Sequence, residues 1–76
     1  MINNEKIHLE QLGKRLKELR LKAGFTDAEK FAYRAGINRE QYRLYELGGN
    51  MYLSTLVRLL NALTISAQDF FSEGFD

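Results

Sequence analysis

Apolar residues at Leu9, Leu12, Leu16, Leu19 and Ala23 recur at spacings of three and four, which places them on one face of a helix. Lys14, Arg15, Lys17, Glu18 and Lys22 fill the remaining positions, and Gly24 supplies a left-handed stop. A first helix is expected from about Leu9, or from Asn4, to Lys22 or Ala23. Thr26-Asp27-Ala28-Glu29 then offers a capping box from Thr26 to Glu29, with Asp27 as a second candidate cap, and starts a short helix that ends at Ala35 before Gly36. Asn38 can cap a third helix from Arg39 to Leu47, whose inner apolar members are Tyr42 and Tyr45 and which stops at Gly48-Gly49. The run Leu53, Leu56, Val57, Leu59, Leu60 and Leu63 predicts a fourth helix buried on most sides. Ser66-Ala67-Gln68-Asp69 repeats the capping-box pattern and leads Phe70 and Phe71 into a last short helix ending near Gly74. No strand pattern competes, and the fold class expected is all-α with five helices.

With 76 residues the chain has room for one domain, here 1–76, with 1–8 as an arm or helix extension and 72–76 as a short tail. A hydrophobic share of 45 % and a charged share of 28 % suit a packed core rather than a disordered chain. There is no cysteine and one histidine, His8, so disulfides, Cys-ligated zinc and multi-histidine metal sites are excluded, and no cofactor is expected. Ser54, Ser66 and Ser72 lack the histidine and acid partners of a nucleophilic triad, which argues against an enzyme. Met1 to Lys6 has no signal-peptide core, and no apolar run approaches the roughly 20 residues of a membrane span. A cytoplasmic protein without membrane contact is expected, and no small-molecule ligand is evident.

The stretch from Ala28 to Leu47 carries the functional signal. A helix-turn-helix needs a small residue where its helices cross, a glycine at the turn and two large apolar residues on the inner face of the second helix. Ala32, Gly36, Tyr42 and Tyr45 supply these. Beyond this, Leu12 to Arg20, Ala23-Gly24-Phe25, Phe31-Ala32, Gly36-Ile37, Tyr42 with Tyr45-Glu46, Leu53 to Leu56, Ala62-Leu63 and Ser66 to Phe71 follow one another in order. In these motifs the chain resembles the lambda-repressor-like, or XRE-type, helix-turn-helix DNA-binding domains. It also resembles a subgroup with a Tyr-x-x-Tyr-Glu recognition helix and one extra residue between the first two helices.

The resemblance implies a recognition helix over about 38–47 in the major groove of duplex DNA, with Asn38, Arg39, Glu40, Gln41, Arg43 and Leu44 at or near the bases. Arg39 is the first candidate for reading a base, since guanidinium can donate two hydrogen bonds to guanine O6 and N7. Glu40 could accept from a cytosine amino group or act by exclusion, and Arg43 could reach a base or a phosphate. In the loop after this helix, where relatives often show a basic residue and a proline, Asn50 and Tyr52 stand as phosphate donors beside the backbone amides. At the start of the second helix, where relatives often carry a glutamine, this chain has Asp27 and Ala28; Asp27 acts only as a cap, or the amides there meet phosphate. Arg20 and Glu46 occupy the places of a structural ion pair that ties the recognition helix to the scaffold.

Sorting charge by position modifies a net charge of only +1. From Lys14 to Tyr45 nine Lys and Arg face four Asp and Glu, an excess of +5, whereas Asn50 to Asp76 carries −2. Lys14, Arg15, Lys17 and Lys22 read as a solvated helix face, with phosphate contact as the alternative. Phe25, Phe31, Phe70 and Phe71 read as core, although Phe71 or Phe75 could serve a dimer. The partner expected is a palindromic duplex bound by a homodimer, a pairing that compensates for the few base pairs one helix can touch. The rival is a protein-interaction module, for example an antitoxin-like partner, that keeps the fold with weak or no DNA binding.

Overall fold

In the computed structural model, which describes residues 4–75, the helices are α1 (Asn4–Lys22), α2 (Ala28–Ala35), α3 (Arg39–Glu46), α4 (Leu53–Leu63) and α5 (Ala67–Phe70), with no strand among the described residues. The expected apolar stripe of α1 turns inward at Leu16, which is fully buried, and at Leu12 and Leu19, which pack against the core, while Ala23 is exposed. The core itself is Leu16, Phe31, Ala32, Ala35, Tyr42, Tyr45, Leu56, Leu59, Leu60 and Phe70. Phe31 lies at its centre, with ring centroids 5.1 Å from Phe25 and 5.4 Å from Tyr42, the latter edge-on.

The helix ends follow local chemistry. Because α2 starts at Ala28, Asp27 is the residue at the cap, and its carboxylate accepts from the amides of Glu29 (2.9 Å) and Lys30 (3.3 Å). The capping box expected from Thr26 therefore does not form, since Glu29 lies one position too early in the helix to complete it. At the other end Gly36 takes φ 74°, and the amides of Gly36 and Ile37 close onto the carbonyls of Tyr33 and Ala32. Asn38 caps α3 as expected, accepting from the amides of Glu40 and Gln41. Ser66 caps α5 through the amide of Asp69.

Four expectations need correction. Arg15 is 5 % exposed rather than part of a solvated face: Nε donates to the carbonyl of Phe70 (2.8 Å), Nη2 to that of Asp69 (3.0 Å) and Nη1 to Glu18 (2.6 Å). It thereby satisfies the Phe70 carbonyl at the end of α5 and adds to the bonds that the Asp69 carbonyl accepts from Ser72. The fourth helix is not buried on most sides: Leu56, Leu59 and Leu60 are covered, whereas Leu53 is 75 % exposed and Val57 about half. A chain this short has too few elements to cover a helix all round. The last helix stops at Phe70, not near Gly74. Phe71 is half exposed rather than core, and Phe75 returns over it, with centroids 4.9 Å from Phe71 and 6.0 Å from Phe70. At the N-terminus, the helix-extension alternative holds from Asn4 onward, while residues 1–3 and Asp76 lie outside the described residues.

Gly13 sets how closely α1 approaches α3. A Cβ there would stand 2.5 Å from the carbonyl oxygen of Glu46 and 2.6 Å from that of Tyr45, so no other residue fits without moving backbone. Glycine inside a helix costs about 1 kcal/mol relative to alanine, and this contact is the compensation. Gly13→Ala is therefore expected to destabilise the fold, by about 2 kcal/mol, despite the better helix propensity of alanine. Urea denaturation checks this, and a midpoint equal to or above that of the parent would contradict it.

Candidate nucleic-acid interface

Gly13 and Arg20 are seven residues apart, so both lie on the face of α1 that meets α3. Arg20 is 5 % exposed, and its guanidinium is used in three directions. Nε and Nη2 donate to the two carboxylate oxygens of Glu46 at 2.7 and 3.3 Å, and Nη1 donates to the carbonyls of Phe25 (2.7 Å) and Thr26 (3.2 Å). Tyr42 donates its hydroxyl to the same Glu46 carboxylate. The pairing of Arg20 with Glu46 is thus present, and it also gathers the loop between α1 and α2.

The electrostatics of this cluster are those of a largely buried pair. The Glu46 carboxylate holds Arg20 more firmly protonated than usual, against the opposing effect of burial. Burial, then the bond to Glu46, pushes the Tyr42 hydroxyl far above its ordinary range, so it stays a neutral donor. Losing one partner leaves a desolvated charge, which typically costs about 3 to 5 kcal/mol, whereas removing both costs much less.

Anchored in this way, α3 turns Tyr42 and Tyr45 inward and leaves Asn38, Arg39, Glu40, Gln41, Arg43 and Leu44 exposed. Ala32, Tyr42 and Tyr45 are core, and Gly36 makes the turn between α2 and α3. The six exposed side chains are not equally free. Asn38 spends its Oδ1 on the cap, which leaves the Nδ2 donor. Arg39 donates through Nη1 to Glu29 of α2 at 2.9 Å, and Arg43 lies 3.7 Å from Glu40. Asn50 and Tyr52 are exposed in the following loop and line, with Gln41, Tyr45 and Met51, an open groove of about 410 Å³ beside α3. A second open groove, of about 440 Å³, runs between Asp27, Ala28 and Glu29 on one side and Arg39, Glu40 and Arg43 on the other. Every expected interface residue therefore lies on α3, its cap or the loop that follows it.

The excess of +5 between Lys14 and Tyr45 is smaller at the surface than along the chain. Arg15 and Arg20 are buried, which takes two of those positive charges off the surface, while the exposed Arg39 and Arg43 sit beside Glu29 and Glu40, acids already within that sum. Lys14, Lys17, Lys22, Lys30 and Arg34 remain exposed, Arg34 stacking over Phe25 with its guanidinium carbon 5.9 Å from the ring centroid. The buried role of Arg15 escaped the sequence reading although the signal was present. Arg15 follows Leu12 by three and precedes Leu19 by four, a position on the apolar stripe, whereas the contact of Glu29, in the first turn of α2, with Arg39 of α3 has no signal within either helix.

No protein-family model matches the chain, and no curated protein matches it either.

Arg20 and Glu46 should prove coupled well beyond an exposed pair. In a double-mutant cycle with Arg20→Met and Glu46→Gln, the coupling energy from urea denaturation is expected to exceed about 1 kcal/mol. A value near zero would show that the pair is an incidental contact.

Proposed function

We propose that the chain is a lambda-repressor-like, XRE-type domain in which α2 and α3 act as a helix-turn-helix, and that it binds duplex DNA sequence-specifically as a prokaryotic transcriptional regulator. The observation that carries this reading is an eight-residue helix tied to the scaffold by a bidentate, largely buried ion pair, whose solvent side and N-terminal turn are hydrogen-bonding side chains apart from Leu44. That combination, rigid support under an exposed polar face with two arginines, is what reading base edges requires. The motif order from Leu12 to Phe71 supports the same reading.

On this reading Arg39 faces a guanine, with Asn38, Gln41 and Arg43 beside it, while Leu44 offers an apolar contact to a thymine methyl and Glu40 accepts from cytosine or excludes other bases. Asn50 and Tyr52 meet phosphate, since Asp27 engages the amides of Glu29 and Lys30 at the start of α2. One helix touches few base pairs, so the working form is a cytoplasmic homodimer on a palindrome with half-sites about one helical turn apart. The half-exposed Phe71 and the exposed Leu53 and Val57 offer apolar surface for such pairing. The same residues, together with the carboxylates beside both α3 arginines, favour the second reading, a protein-interaction module.

Selection from random duplex DNA, followed by affinity measurements at two salt concentrations, separates the two. The expected outcome is an enriched palindrome, affinity that falls as salt rises, and relaxed preference at one base pair in Arg39→Ala, with a loss of about 1 to 3 kcal/mol of discrimination there. No enriched sequence would favour the interaction module.

A further inference from the structure

The ion pair between Arg39 and Glu29 joins the first turn of α3 to the first turn of α2, and it is exposed on both sides. An exposed pair contributes little to stability, so its place at the mouth of the groove between the two helices needs another account. Only Nη1 of Arg39 is engaged, by one oxygen of Glu29 at 2.9 Å. A single contact of this kind fixes the direction of the guanidinium while leaving an edge of donors available for a bidentate partner.

We propose that Glu29 is a specificity-determining residue, holding Arg39 for a base edge and penalising its use as a phosphate clamp. The proposal rests on the reading of α3 as a recognition helix. A free arginine at that position could turn to the nearest phosphate, a contact that carries no sequence information. To do so it must abandon Glu29, whose carboxylate would then stand unpaired among phosphates of like charge. When Arg39 instead donates to guanine O6 and N7, the contact with Glu29 can persist, and the repulsion is offset. Glu29 therefore weakens binding to every duplex, and weakens it most where the matched guanine is missing. Asp27, the other acid on the α2 side of this groove, is committed to capping α2, and on the α3 side Glu40 pairs with Arg43, so neither replaces Glu29 at Arg39.

The test compares the enriched duplex with the same duplex altered at the guanine assigned to Arg39, using the full chain, Glu29→Gln, Arg39→Ala and the double variant. Glu29→Gln is expected to bind both duplexes more tightly and to lose about tenfold of the discrimination between them. In the Arg39→Ala background, Glu29→Gln is expected to leave discrimination unchanged. Equal tightening on both duplexes, with discrimination intact, would reduce Glu29 to a repulsive charge and overturn the proposal. So would a loss of discrimination that persists without Arg39. If the parent chain enriches no duplex, the recognition reading itself fails and the proposal falls with it; a parent that discriminates while Glu29→Gln discriminates equally well refutes this proposal alone. Circular dichroism of each variant at the assay temperature confirms that the helices are retained.

Discussion

The buried guanidinium of Arg20 is the constraint on which the geometry of the rest depends. It joins three parts of the chain that share no helix: α1, the loop at Phe25 and Thr26, and the C-terminal end of α3. A charge so placed tolerates little displacement, because each hydrogen bond it loses leaves an uncompensated group in a largely buried setting. Gly13, two turns earlier, permits the close approach that lets the pair form. The result is a helix whose position is set by electrostatics at one end and by the packing of Tyr42 and Tyr45 along its inner side.

Arg15 does for α5 what Arg20 does for α3. Both are buried arginines of α1: Arg15 donates to the carbonyls of Asp69 and Phe70, and Arg20 to the carboxylate of Glu46 and the carbonyls of Phe25 and Thr26. In a chain of this size, without cysteine to staple it, such contacts supplement a small core by fixing where the later elements dock. They also remove two positive charges from the surface. On the proposed reading this leaves a domain with modest attraction for phosphate in general, whose arginines on α3 are held by carboxylates until a matched partner replaces or joins them.

Much of the helical order was legible because glycine and cap residues punctuate the chain at nearly every junction. Gly36, Asn38 and Ser66 act where local chemistry placed them. The pairing of Arg20 with Glu46 came from resemblance alone, since nothing local links residues 26 positions apart. The two misread helix faces share one physical origin. Periodicity reports which residues are apolar, not which faces find a neighbour, so α4 was read as enclosed when only one side meets other helices, and Arg15 was read as solvated although it lies on the apolar stripe. The contact between Glu29 and Arg39 was equally out of reach, because it depends on how α2 and α3 approach each other rather than on either helix alone.

The central claim is that the exposed side of α3 is the surface that meets DNA. Backbone-amide NMR of the labelled chain, titrated with a short duplex carrying the enriched sequence, tests it most directly. The largest shifts are expected at Asn38 to Leu44, with smaller ones at Asp27 to Glu29 and at Asn50 and Tyr52, while Leu59 and Phe70 in the core stay in place. Shifts centred on Leu53, Val57 and Phe71, with α3 unmoved, would contradict it.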